Sequence, residues 1–288
     1  LFGVNSKNKK YFSPEFIYDS DQKILNGGVK LMETQKKNRI DVNATTSDKT
    51  GVSGFVEAFV RKFRTFGFIF VLVPIALLYV LCIGLSLTPG ISLVQMVWEW
   101  TSESSFFVKC FSLGLSLAMA FIAYGISLIF VVPLVNKLLP FKVKPIRASW
   151  FSLEVIPWYY HNALVYLVRY SFLSFVTPSP LNKLFYQMMG MKIGKGSMIN
   201  TTNISDPCMI EIGDYVTVGG SATLMAHYGQ KGMLVIDKLV IKDKATIGLK
   251  SSLFGDVIVG EGVLVKAHEA VMPKARLTKD DSAPKKAA

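Results

Sequence analysis

From Ile241 onward a branched aliphatic residue returns at every sixth position: Ile241, Ile247, Leu253, Val259, Val265 and Val271. Four places after most of them stands a small or branched residue: Ala245, Ser251, Val257, Val263 and Ala275, with Glu269 as the exception. Helices repeat every 3.6 residues and strands every 2, so a period of six requires another architecture. The hexapeptide β-helix meets it with one short strand and one corner per unit, three units closing a triangular coil of about eighteen residues. The aliphatic residue fills the prism and the small one lets the corner close.

The pattern extends upstream with interruptions. Ile193-Gly-Lys-Gly-Ser and Ile199 begin it, and Ile212-Gly-Asp-Tyr-Val and Val218-Gly-Gly-Ser-Ala continue it. One extra residue near Pro207 breaks the register between Ile199 and Ile212. A longer interruption, Leu224-Met-Ala-His-Tyr-Gly-Gln-Lys-Gly-Met, separates Val218 from Ile241. Insertions in a solenoid form loops on one face, often the binding face. The coil is therefore expected over residues 192–276, with a disordered polar tail at 277–288.

The chain before the coil is different. Residues 1–64 are basic and aperiodic, and read as a cytoplasmic segment or the tail of a preceding domain; positions 43–53 read as a linker. The first residue is Leu1, which suggests a piece of a longer polypeptide. Residues 65–148 hold two uncharged runs, the densest part of the first being 66–87 and the second 110–136. About 20 apolar residues span a bilayer, so a transmembrane hairpin is expected, with Pro89 and Gly90 closing its first span. Arg61, Lys62 and Arg64 precede it, and Lys137, Lys142, Lys144 and Arg147 follow. The positive-inside rule then places both termini and the coil in the cytoplasm. Residues 149–191, with Trp150, Trp158, Tyr159, Tyr160, Tyr166 and Tyr170, read as interfacial amphipathic helices broken by Pro178 and Pro180. Arg169 argues against a third span there.

The formal net charge of +12 raises nucleic acid as a partner. No nucleic-acid-binding module accompanies it, and that class is set aside. Cys82, Cys110 and Cys208 form no metal or redox spacing. The three histidines are too scattered for a zinc site, so no metal is expected.

His227 lies in the long interruption and is the candidate general base, since imidazole suits proton removal from a hydroxyl or amine. A carboxylate should orient its other nitrogen, with Asp206, Asp214 and Asp237 as candidates. His268 reads as a surface residue and His161 as an interfacial polar tip. Lys250 and Lys266 project from neighbouring coils; they either meet the phosphates of a coenzyme A donor or form a solvated cationic face.

Met191-Lys-Ile-Gly-Lys-Gly-Ser, Ile212-Gly-Asp, the loop histidine and Ile241-Lys-Asp-Lys-Ala-Thr-Ile-Gly together resemble the hexapeptide-repeat acyltransferases. The order of two apolar runs, an aromatic segment with Trp158 and Asn162, and a coil with Ala226-His227 is similar to one branch of them. That branch is the membrane-embedded C-terminal domain of polylysine-synthetase-like peptide synthetases. The resemblance implies a left-handed parallel β-helix, His227 as the base, and trimerisation with the donor bound between coils. Lys242, Phe254, Lys266 and Met272 stand where the pattern places glycine, so the last coils depart from it.

The expected protein is thus an all-β left-handed parallel β-helix behind a transmembrane helical hairpin and interfacial helices. The expected activity is a membrane-bound acyltransferase. Its donor is an acyl-CoA or phosphopantetheine-carrier thioester, and its acceptor a lipid-linked or amphipathic hydroxyl or amine. The lipid bilayer, an acyl carrier domain and a second copy of the chain are the expected partners. A peptide-bond-forming terminal domain and a non-catalytic scaffold are the alternatives.

Overall fold

The computed structural model describes residues 45–47 and 49–279. Expectations for residues 1–44 and for the tail beyond 279 lie outside the described residues. Three helices open the described chain: α1 (Gly51–Lys62), α2 (Arg64–Trp100) and α3 (Phe106–Leu138). α1 occupies part of the stretch expected to be aperiodic. Its Glu57 is buried and paired with Lys49 at 3.2 Å and Arg61 at 2.6 Å.

α2 runs unbroken for 37 residues, about 55 Å at 1.5 Å per residue. The expected stop at Pro89–Gly90 does not occur. Gly90 lies against α3, where an added Cβ would be 2.9 Å from the Ala120 carbonyl oxygen. Close packing of two helices at a glycine holds the helix through a sequence that favours a break alone. α2 and α3 are long and apolar enough to cross a membrane, by length and composition only.

A short strand follows, β1 (Ile146–Ser149), then helices α4 (Ile156–Ser171) and α5 (Pro180–Met188). Ser179 caps α5 by accepting from the Leu181 N–H, and Pro180 takes the first turn, where no N–H partner is needed. These helices pack against the coil. Phe185 and Tyr186 are fully buried. Asn182 Nδ2 donates to the Ile199 carbonyl, Tyr186 Oη to the Thr202 carbonyl, and Lys183 Nζ to the Gly194 carbonyl. The first coil has no turn below it to receive these groups, and α5 supplies the missing partners.

The coil strands are β2 (Lys192–Ile193), β3 (Met198–Ile199), β4 (Ile204–Ser205), β5 (Ile210–Ile212), β6 (Thr217–Val218) and β7 (Thr223–Met225). After the insertion come β10 (Leu239–Ile241), β11 (Thr246–Ile247), β12 (Ser252–Leu253), β13 (Val257–Val259), β14 (Leu264–Val265), β15 (Ala270–Val271) and β16 (Arg276–Leu277). They form three parallel sheets, ordered β16-β13-β10-β5-β2, β14-β11-β6-β3 and β15-β12-β7-β4. The chain visits the three sheets in one cyclic order throughout, which makes a prism-shaped coil.

Register stacks like on like. Ile212, Ile241 and Val259 form one column, Ile199, Val218, Ile247 and Val265 the second, and Leu224, Leu253 and Val271 the third. All are buried, and each contributes about 1.5–3 kcal/mol of apolar burial. Ala245, Ser251, Val257 and Val263 are buried at the corners as expected. Most corners also hold a residue at positive φ, among them Tyr215, Lys244, Lys250, Asp256 and His268. Only Gly escapes the cost of that conformation, so these corners persist because parallel pairing on both sides fixes the chain.

Candidate functional site: a histidine on an extruded hairpin

The long interruption is an ordered hairpin, β8 (His227–Gln230) and β9 (Met233–Ile236). β9 pairs with β8 on one edge and antiparallel with β1 on the other. Asp237 N–H donates to the Ala226 carbonyl at 2.9 Å and closes the neck of the hairpin. His227 is therefore the first residue beyond the coil wall.

Beneath it sits Asp206. β4 pairs with β7 so that Ser205 lies opposite Met225, which puts the corner residue Asp206 one coil below Ala226 and His227. Its φ is +57°, it has no solvent exposure, and the extra residue near Pro207 forms a 3-10 turn directly after it. His227 Nδ1 lies 2.5 Å from Asp206 Oδ2. The same oxygen accepts the Ala226 N–H at 3.1 Å. Oδ1 accepts Asn162 Nδ2 at 2.6 Å, and the Asp206 N–H donates to Asn162 Oδ1 at 3.1 Å. A carboxylate accepts only, so the proton of the His227 ring belongs on Nδ1. The Nε2 lone pair is then free, on a side chain that is 16% exposed.

Trp158, on α4, meets the His227 ring edge-on at 5.0 Å between centroids, and Trp150 packs against Trp158 at 5.8 Å. The imidazole thus stands on an aromatic floor with its carboxylate partner sealed below it.

Of the three candidate carboxylates, Asp206 is the partner. Asp214 Oδ1 accepts the Lys195 N–H and Asp237 Oδ1 the Lys238 N–H, both on the exposed surface. His268 is exposed on a corner, as expected. His161 is not an interfacial tip. It is buried, with Nδ1 3.1 Å from Asn136 Oδ1, and burial pulls its pKa down to about 4 against a smaller opposing effect of Asp206. Burial pushes the Cys208 thiol up to about 12, which denies it the thiolate form a nucleophile needs. Among the described residues, no group of three or more His, Cys, Asp or Glu could hold a metal ion.

Lys250 and Lys266 are both exposed and share one edge of the prism. Lys250 lies between β11 and β12, and Lys266 between β14 and β15. That edge is one face away from the edge carrying His227. Glu269, the residue that departs from the repeat, accepts the Lys266 N–H at 2.8 Å and closes its own corner. Sequence reasoning named Asn162 without giving it a role and could not choose Asp206. The register break beside Pro207 was the available signal.

The triangular coil of six-residue units thus carries a histidine–aspartate pair where a hairpin leaves its wall. No protein-family model and no curated protein matches the chain. Among solved structures it is similar to serine acetyltransferase of Neisseria gonorrhoeae in complex with serine. Identity is 14%, the match covers 66% of this chain and 64% of that one, and the TM-score is 0.28. It is also similar to serine acetyltransferase isoform 3 of Entamoeba histolytica with cysteine, at 12% identity, 86% and 88% coverage and TM-score 0.27. A third is a mutant of AntD, an N-acyltransferase from Bacillus cereus, with dTDP and coenzyme A, at 18% identity, 35% and 83% coverage and TM-score 0.22. At these scores the functional reading rests on the coil and the paired site themselves. The expectation of an integral membrane protein with both termini and the coil cytoplasmic is corrected: the matched structures are serine acetyltransferases and an N-acyltransferase. That expectation rested on the basic flanks and on the apolar length of α2 and α3, whose most apolar windows are 11% and 28% buried.

Proposed function

We propose that the chain is an acyltransferase of the hexapeptide-repeat type, with a left-handed coil. It moves an acyl group from a coenzyme A or phosphopantetheine-carrier thioester to a hydroxyl or amine. The observation that carries this reading is the 2.5 Å contact between His227 Nδ1 and the buried Asp206 carboxylate, because it leaves Nε2 as the base. Nε2 removes the proton of the acceptor O–H or N–H as the heteroatom attacks the thioester carbonyl carbon. The tetrahedral centre collapses, the C–S bond breaks, and the leaving thiolate takes the proton from Nε2. Ester or amide and free thiol are the products, and His227 returns to its starting form. Asp206 holds the tautomer and stabilises the imidazolium formed in between.

Lys250 and Lys266 are assigned to the phosphates of the donor, whose length suits an edge one face away from the base. The test is thiol release by the full chain from acyl-CoA and acyl-pantetheine, over a panel of amphipathic alcohols and amines. Wild-type turnover and its loss in His227→Ala support the reading. Equal turnover in His227→Ala, or none with any thioester, refutes it.

A further inference from the structure

We infer that Asn162 is a positioning residue for the reaction, acting through Asp206, and that α4 is held in place for this purpose. The proposal rests on His227 being the base. Asp206 occupies a corner whose left-handed backbone an aspartate adopts only at a cost. Asn162 grips that corner at both ends, donating Nδ2–H to Oδ1 at 2.6 Å and accepting the Asp206 N–H on Oδ1 at 3.1 Å. One carboxamide thus fixes the peptide and the carboxylate together, which leaves Oδ2 facing His227. Both residues are buried, Asn162 at 3% exposure and Asp206 at 0%.

Asparagine alone among side chains of its size offers a donor and an acceptor on one planar group. Aspartate at the position would set two acceptors against each other, and leucine would leave two buried polar groups unpaired.

The second observation concerns the neighbours of Asn162. Three consecutive residues of α4 are each tied to a different element. His161 Nδ1 meets Asn136 Oδ1 near the end of α3 at 3.1 Å, Asn162 holds Asp206, and the Ala163 carbonyl accepts Tyr79 Oη of α2 at 2.7 Å. A single turn of α4 therefore couples the long helical hairpin to the aspartate of the site. Groups that support a reacting residue from behind tune geometry, and their loss typically lowers activity roughly 10- to 100-fold.

The full chain is tested as wild type, Asn162→Leu, Asn162→Asp and His227→Ala. Both Asn162 variants are expected to lose roughly 10- to 100-fold in kcat with KM for the donor unchanged, since neither substrate touches the carboxamide. The chain has three histidines, so 15N-histidine labelling reports each imidazole. Wild type should show a far-downfield Nδ1–H resonance, assigned to His227 by its disappearance in His227→Ala and lost or moved upfield in the Asn162 variants. A purely structural role for Asn162 would lower the melting temperature while leaving that resonance in place. Wild-type kcat in either folded variant, an unmoved resonance, or its absence from the wild type overturns the inference. If His227→Ala turns over normally, the functional reading fails instead.

Discussion

Asp206 Oδ2 and His227 Nδ1 lie 2.5 Å apart, although one residue turns a corner of the coil and the other opens a hairpin outside it. Parallel stacking of β4 under β7 joins them, since a residue at a corner of one coil lies directly beneath the same corner of the next. Asp206→Asn should keep the shape of the site and remove its acceptor, turning an amide N–H toward the donors of Ala226 or Asn162. Turnover is expected to fall by roughly 10²- to 10⁴-fold. Steady-state thiol release against a melting curve separates this from unfolding.

Gly255 stacks against the neck of the hairpin. A Cβ there would sit 2.5 Å from the Ala226 carbonyl oxygen and 3.0 Å from that of Asp237. Both are backbone atoms, so the neck must move. Gly255→Ala should cost about 1–3 kcal/mol and lower kcat at least tenfold by displacing His227. Denaturant unfolding and kinetics on one preparation check both effects, and wild-type values in both contradict the geometry.

Charge reversal at the shared edge tests donor binding. Lys250→Glu and Lys266→Glu should each raise KM for acyl-CoA by roughly twofold to fivefold, a range in keeping with solvent-exposed ion pairs. KM for acyl-pantetheine, which lacks the nucleotide phosphates, should stay the same. An equal change for both donors would remove these lysines from the site.

His161 supplies a pH signature. Its pKa is about 4 in the fold and about 6.5 in the unfolded chain. The unfolded state therefore binds the extra proton first. The associated stability is present above pH 6.5 and is lost as pH falls from there to about 4, by about 3 kcal/mol in all. Urea unfolding at pH 7, 5.5 and 4 should show this slope, and His161→Gln should flatten it.

α5 serves as the lower cap of the coil. Tyr186 is wholly buried and donates to the Thr202 carbonyl at 3.2 Å. Tyr186→Ala should destabilise the protein by about 3–5 kcal/mol, whereas Tyr186→Phe should cost about 1 kcal/mol. Thermal unfolding of the two variants side by side measures the difference.

The coil was legible because its signal is local and repeated. Ile241, Ile247, Leu253, Val259, Val265 and Val271 announce a six-residue period without knowledge of any distant contact. The position of His227 outside the coil wall was legible for a related reason: it stands in the longest break of that period. The hydropathy of 65–148 announced two long helices but not that α2 runs through Pro89 and Gly90, because the packing at Ala120 that allows it is nonlocal. Aromatic content suggested a surface role for 149–191; Tyr170 and Phe175 are exposed there, whereas Phe172, Phe185 and Tyr186 are buried, a division that depends on what packs against each.

The period in the chain by itself determined the prism, since buried aliphatic columns and tight corners admit no other stacking of six-residue units. Only the tertiary structure decided the site. Asp206, Asp214 and Asp237 are equivalent as residues, and what distinguishes Asp206 is its height in the stack and the two hydrogen bonds it exchanges with Asn162 on a helix that begins elsewhere in the sequence. A sequence records the order of its groups along the chain, whereas proton transfer depends on which of them come within 3 Å of each other across it.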